Sequence, residues 1–428
     1  MLPHSVLTIL AAMGLAALDA PLPVEPVDVP PSVEQGVDMV YVDPEIAPVF
    51  QRREIQAGSF DFRPWTGAPV DMFMPVHPLY TELRRGLVKY RQRWGDLPDV
   101  AIPAGPAMKD GAADERIALL RERLGLPPGD TFDAKLTATV KEFQQVHGLK
   151  PDGIVAGATI DSLNLGPDHY ERLLMINLER ARRLPAAGDV KRYILVDAGA
   201  AQLWMYENGK PVDSMKVIVG SKATKTPMMA AMMRYASLNP YWNVPADLTQ
   251  TLIAPKVVAE GLNYLVERDY EVFTDFTDDA QRIDPATVDW QAVAAGSTEV
   301  RMRRGPGPWN SMGAIKFMMP NDYGIYLHDT PDKTLFAKDD RWISNGCIRV
   351  EDAARLSKWV FGGERQPETN EPEERADLPE PIPVYITYLT VGASPTGVVF
   401  RQDRYDRDAP VMARYFGQEQ EVAVNQVR

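Results

Sequence analysis

Apolar residues recur at helical spacing in the first part of this chain and alternate, or run unbroken, in the second. Leu79, Leu83, Leu87 and Tyr90 form one stripe and predict a helix over residues 78–94, stopped at Gly95. Ile117, Leu120 and Leu124, then Leu136, Val140 and Phe143, then Ile160 and Leu163 predict three short helices around one small core. Tyr170, Leu174, Leu178 and Ala181 mark a further helix over 168–183 that packs with the one at 78–94. From Arg192 the period changes. Tyr193–Val196, Gln202–Tyr206 and Val212–Val219 read as a strand meander, because Asn208-Gly209 is a strong two-residue hairpin signal. Met215, Val217 and Val219 alternate toward one face of it.

The strand signal fades between residues 238 and 308 and resumes at Gly313–Phe317, which suggests one sheet interrupted by an insertion. Gly324-Ile325-Tyr326-Leu327-His328 is a buried strand that ends in an imidazole, and Asp352 is a good N-cap for a helical stripe of Ala353, Leu356, Trp359 and Val360. Acids and prolines over Gly362–Glu380 predict a solvated, mobile loop; Pro383–Val391 and Gly397–Arg401 predict a closing hairpin; beyond Arg414 the tail reads as weakly ordered. The expected fold class is α+β, a β-rich domain with a curved sheet sandwich preceded by helices. The expected divisions are 1–20, a leader; 21–112, a proline-rich segment and scaffold helix; 113–165, the three-helix module; 166–190, a second scaffold helix; 191–392, the sheet domain with its insertion; and 393–428, a closing strand and tail.

At 428 residues the chain is too long for one ordinary domain, and 45% hydrophobic residues suffice for real cores. A net charge of -13 argues against nucleic acid and against an anionic membrane surface. Val6–Leu18 followed by Ala20 reads as a signal peptide, although no Lys or Arg precedes the apolar run, and this points to export to the periplasm. With a single cysteine there is no internal disulfide, and an exported lone thiol is a candidate for reactivity.

That thiol is Cys347, in the tight turn Ser344-Asn345-Gly346-Cys347. An ordinary thiol has a pKa near 8.5 and needs a base to act as a nucleophile at neutral pH. Of the five histidines, His4 lies in the leader, His77 in a proline-rich approach, and His147 and His169 near the helical module, which leaves His328. The amides of Asn345, Gly346 and Cys347 are candidate oxyanion donors, and Arg349 is suited to a substrate carboxylate. Arg349 is also placed to pair with Glu351 or Asp352. Ser344 and Tyr326 complete the candidate substrate contacts.

His328-Asp329-Thr330 followed by Ser344-Asn345-Gly346-Cys347-Ile348-Arg349 resembles the signature of L,D-transpeptidases with a YkuD-type catalytic domain, the large periplasmic subgroup in particular. Asn345 stands where most of that family has histidine. The run Gly220 to Thr226-Pro227 is also similar to that family. Phe143-Gln144-Gln145-Val146-His147-Gly148-Leu149 with Asp152-Gly153-Ile154 resembles peptidoglycan-binding domain 1; in that family the module either binds wall or only braces its neighbour, and both readings stay open. The resemblance implies that the insertion is a cap, that the carbonyl of Asp329 orients His328, and that the substrates are peptidoglycan stem tetrapeptides, as donor and as acceptor. It further implies a cysteine thioester, release of D-alanine, cross-links between third residues, and acylation by β-lactams of the carbapenem class. No cofactor and no metal are expected. Water as acceptor would make the protein an L,D-carboxypeptidase.

Competing chemistries leave no trace. No serine is followed three places on by lysine, as penicillin-binding proteins require, and the histidines have no metal-ligand spacing. The rival of a different class is a non-catalytic scaffold that binds cell wall.

Overall fold

The computed structural model describes residues 38–48, 51–52, 75–275, 279–395 and 397–426. The leader expected at residues 1–20 lies outside them. The strands are β1 (Val40–Tyr41), β2 (Arg192–Asp197), β3 (Gln202–Glu207), β4 (Lys210–Gly220), β5 (Met229–Leu238), β6 (Trp242–Val244), β7 (Tyr270–Phe273), β8 (Arg301–Arg304), β9 (Ile315–Met318), β10 (Leu327–His328), β11 (Trp342–Ser344), β12 (Ile348–Val350), β13 (Glu374–Thr387), β14 (Val391–Ser394) and β15 (Gly397–Phe400). Among the described residues the chain divides into two compact units, Asn243–Arg304 and the remainder that flanks it in sequence.

In the larger unit the strands pair in the order β5-β13-β2-β3-β4-β12-β10-β9, and β9 returns to β5. Curvature carries the sheet far enough to pair with itself, Tyr235–Leu238 against Ile315–Met318, and pairing in a ring leaves few open edges. Its interior is filled by the residues that alternation assigns to one face, among them Val196, Leu203, Met215, Val217, Phe317, Leu327, Ile348 and Val350. The β3–β4 turn holds Asn208 and Gly209 at positive φ, 50° and 74°, which matches the twist of the strands it joins.

Five helices, Pro78–Tyr90, Arg116–Arg123, Ala134–Val146, Gly157–Asn164 and Gly166–Arg182, share one apolar core in the same unit. Val391, Val398 and Phe400 enter that core from β14 and β15. This corrects the expected closing hairpin: residues 383–387 belong to β13, parallel to β2 and antiparallel to β5, and the hairpin is β14–β15 alone. Glu374–Asp377 is strand as well, not mobile loop. Pro379 and Pro381 fall where the β13–β5 register shifts between Asp377 and Ile382, since proline has no N–H for a ladder. The tail beyond Arg414 continues a helix, Asp408–Gln426, docked by Val411 on Ile176 and by an Arg180–Asp408 ion pair at 2.7 Å.

The strands β6, β8 and β7 form a three-stranded sheet, all of it but Trp242 within Asn243–Arg304. The sequence hid it because β8 is Arg301-Met302-Arg303-Arg304. Burial nonetheless alternates along it, with Met302 and Arg304 inside and the Arg304 guanidinium 3.8 Å from the Tyr270 ring centroid.

Candidate active site

Three neighbouring strands set the site. Ile348 and Val350 on β12 and Leu327 on β10 lie in the core, so alternation sends Cys347, Arg349, Tyr326 and His328 to the opposite face. The parallel β10–β12 register sets His328 against Arg349. The antiparallel β9–β10 register sets Lys316 against His328. Cross-strand partners share a face, so an imidazole stands between two cations, and Cys347 lies two residues before Arg349, just ahead of β12.

The turn that presents Cys347 is cross-braced. Ser344 Oγ accepts from the Gly346 N–H at 3.2 Å and donates to the Cys347 carbonyl at 2.6 Å. Gly346 has φ +109°, a conformation strained for any residue with a side chain. From the loop after β4, Thr226 Oγ1 donates to the Gly346 carbonyl at 2.7 Å, and Thr224 Oγ1 and the Ser221 N–H donate to the Ser344 carbonyl at 2.9 Å each. The loop comes this close only because residue 220 is glycine: a Cβ there would stand 2.0 Å from the Thr224 carbonyl oxygen. Of the three candidate amides, that of Gly346 donates to Ser344 Oγ, whereas no hydrogen bond within the described residues engages the amides of Asn345 and Cys347. Asn345 itself is exposed.

His328 is 2% exposed, and its Nδ1 lies 2.6 Å from the Asp329 carbonyl oxygen. A carbonyl only accepts, so Nδ1 carries the hydrogen and Nε2 keeps its lone pair. Burial first, and Arg349 second, push the imidazole pKa down to about 3, so the ring is neutral. Burial raises the Cys347 thiol above its ordinary value, against the opposing pull of Tyr326, Arg349 and Lys316. The thiol donates to the Gly324 carbonyl at 3.4 Å rather than to His328. In the resting structure the thiol and the imidazole are both neutral, and no hydrogen bond joins them. Burial also raises the Tyr326 phenol well above its ordinary range, and its hydroxyl donates to Met312 Sδ at 3.5 Å.

Arg349 forms no ion pair among the described residues, and its Nε is buried without a partner. Neither carboxylate expected for it forms an ion pair with it: Glu351 accepts from the Lys216 N–H at 3.0 Å, and Asp352 caps its helix by accepting from the Arg355 N–H at 2.9 Å; the carboxylate that acts on Arg349 through space is Asp332. The other buried histidines are satisfied in place. His77 Nε2 is 2.8 Å from the Tyr193 hydroxyl, and His147 stacks on Phe143 with centroids 3.8 Å apart. Sequence reasoning missed Lys316, which is 9% exposed and paired with Glu373 at 2.9 Å. Its one signal was a lysine inside the apolar strand Ile315–Met318.

Compared with known families, residues 191–375 match the YkuD L,D-transpeptidase catalytic domain. Ahead of it, residues 119–163 match a family described provisionally as peptidoglycan binding. A Haemophilus influenzae protein provisionally named an L,D-transpeptidase is 29% identical over 245 residues, 56% of this chain; the chain spans about half of that relative, 48% of its length. Among solved structures, an L,D-transpeptidase from Mycobacterium smegmatis is 9% identical over 46% of this chain and 58% of its own, at a TM-score of 0.24. The catalytic domain of an E. faecium L,D-transpeptidase acylated by ertapenem is 16% identical over 46% of this chain and 96% of its own, at 0.23. Likenesses of that order carry no argument about this chain. The site residues named above, from Lys216 to Glu373, fall inside the YkuD-type match.

Proposed function

We propose that this protein is an L,D-transpeptidase that joins peptidoglycan stem peptides through a thioester on Cys347. A rotation of the thiol away from Gly324 would hand its proton to His328 Nε2 as sulfur adds to the carbonyl carbon of the third residue of a donor tetrapeptide. Collapse of the tetrahedral adduct breaks the bond to D-alanine, and the proton on His328 goes to the leaving amine. An acceptor stem's amine then adds to the thioester, giving its proton to His328; the sulfur leaves, takes the proton back, and an amide links two third residues. Water in place of the amine would yield the tripeptide, an L,D-carboxypeptidase reaction.

The observation that carries this reading is the set His328, Arg349 and Cys347 on one face, with a neutral base and a guanidinium whose Nε has no hydrogen-bond partner among the described residues. A half-buried guanidinium with an unused donor can still take an anion, and the terminal carboxylate of a stem fits the planar fork of Arg349. Tyr326 and Ser344 are proposed to shape the wall of the same cleft. Peptidoglycan as substrate puts the protein outside the cytoplasm, in the periplasm; among the described residues no helix is long and apolar enough to cross a membrane.

For the module at residues 119–163, bracing is the reading that the packing supports. Leu120, Leu136, Val140 and Phe143 share their core with Leu83, Leu87 and Phe400.

The test is product analysis with purified disaccharide-tetrapeptide, using the wild type and Cys347→Ala. Dimer with loss of D-alanine in the wild type alone supports transpeptidation; tripeptide alone supports carboxypeptidase action. Absence of product together with absence of a carbapenem adduct on Cys347 would leave the wall-binding scaffold.

A further inference from the structure

We infer that Thr226, held from behind by Tyr405 of the C-terminal segment, is a positioning residue that aims the Cys347 amide at the oxyanion. This rests on the thioester reading above. Thr226 is fully buried; its hydroxyl accepts from the Gly220 N–H at 2.9 Å and gives its only hydrogen to the Gly346 carbonyl at 2.7 Å. The Gly346 carbonyl and the Cys347 N–H belong to one trans peptide, so they point in opposite directions. Anchoring the carbonyl on Thr226 turns the Cys347 N–H away from Thr226, on the opposite edge of the peptide. A bond accepted at the carbonyl also polarises the N–H of the same peptide and makes it a better donor. With the Gly346 amide taken by Ser344, the Cys347 amide is the donor that remains on the nucleophile itself.

What holds Thr226 lies beyond the residues that match the catalytic family. The Tyr405 hydroxyl accepts from the Thr226 N–H at 3.4 Å and donates to the Gly220 carbonyl at 2.7 Å, spanning both ends of the loop. Arg407 Nη2 donates to the Thr226 carbonyl at 3.4 Å. Tyr405 is itself pinned: its ring stacks on Tyr388 with centroids 4.8 Å apart, its N–H donates to the Tyr388 hydroxyl at 2.9 Å, and that hydroxyl donates to Asp403 at 2.6 Å. Each hydroxyl in the series gives one hydrogen and accepts another, so the network has a single proton arrangement and one direction of polarity. The YkuD-type match ends at residue 375, so Tyr388, Asp403, Tyr405 and Arg407 add to that domain a clasp on its nucleophile turn.

The test compares two reactions of the same thiol. Imipenem acylates by addition to a carbonyl and develops an oxyanion; iodoacetamide alkylates by displacement at carbon and develops none. Thr226→Val keeps the shape and removes the hydroxyl. It should slow acylation on the order of 100-fold, the scale of losing one oxyanion donor, and change alkylation by no more than about two-fold. Thr226→Ser, which keeps the hydroxyl, should stay within about three-fold of wild type in both, and Tyr405→Phe should slow acylation by about 10-fold, as for a lost buried hydrogen bond. Tyr405→Phe leaves the ring stack intact and carries the test if Thr226→Val does not fold. Equal losses in both reactions, or acylation unchanged in Thr226→Val and Tyr405→Phe, overturn the inference while the thioester reading stands. A wild type that imipenem does not acylate overturns both.

Discussion

His328 and Arg349 stand directly opposite each other across the parallel pair β10–β12, an imidazole and a guanidinium on the same side of the sheet. Burial first, and then the fixed positive charge of Arg349, disfavour a charge on the ring, so His328 is kept neutral and able to accept a proton.

The first prediction concerns pH. With the imidazole pKa down at about 3 and the thiol above its ordinary value, neither group of the resting pair changes charge in the physiological range. Acylation by imipenem should therefore be flat from about pH 5 to about pH 8, because the proton passes within a neutral pair. A one-proton step near pH 6.5, the ordinary histidine value, would contradict the burial seen here.

Arg349 separates binding from folding. Its Nε is buried without a partner, so Arg349→Met should leave thermal stability equal or higher. The same variant should lose about 10- to 100-fold in kcat/KM on tetrapeptide, the value of a charge-assisted bond to a carboxylate. A large fall in melting temperature would show that Arg349 holds the fold instead.

His77, His147 and His328 are all buried, with pKa values lowered to about 3. Folded, each binds no proton until pH falls near that value; unfolded, each binds one below about 6.5. Stability is therefore complete above about pH 6.5 and declines as pH falls from there toward 3, by up to about 1.4 kcal/mol per pH unit for each histidine. Urea unfolding between about pH 7 and about pH 5 should give that slope, and His147→Gln should remove one histidine's share of it.

Gly220→Ala should cost roughly 2–4 kcal/mol, since the new methyl would overlap the Thr224 carbonyl and force the loop off the turn. Imipenem acylation should fall with it even at temperatures where the protein remains folded. An unchanged rate would mean that the loop does not hold the turn.

Much of this was legible along the chain. Strand periodicity places Leu327 and Ile348 inward, and hence His328 and Arg349 outward, because alternation is a local property of extended backbone. Asp352 caps its helix, and Asn208-Gly209 makes its turn, for equally local reasons. The long strand β13 was not legible, because its prolines and acids read as loop. Only its neighbours β2 and β5 supply the ladder that tolerates a break at Pro379 and Pro381. Strand β8 was hidden the same way, since its arginines are accommodated by Tyr270 and Glu271 on the adjacent strand.

By itself the sequence determined most of the secondary-structure periods, the lone thiol, and His328 as the candidate base, since residue type and spacing suffice for each. Tertiary structure decided the rest. Thr226 reaches Gly346 across 120 residues of chain and Tyr405 reaches Gly220 across 185. Lys316 meets His328 only through strand register. Hydrogen bonds and fields act through space, so which carbonyl is anchored, which amide is left free and which charge faces an imidazole follow from the closed sheet and from no stretch of sequence alone.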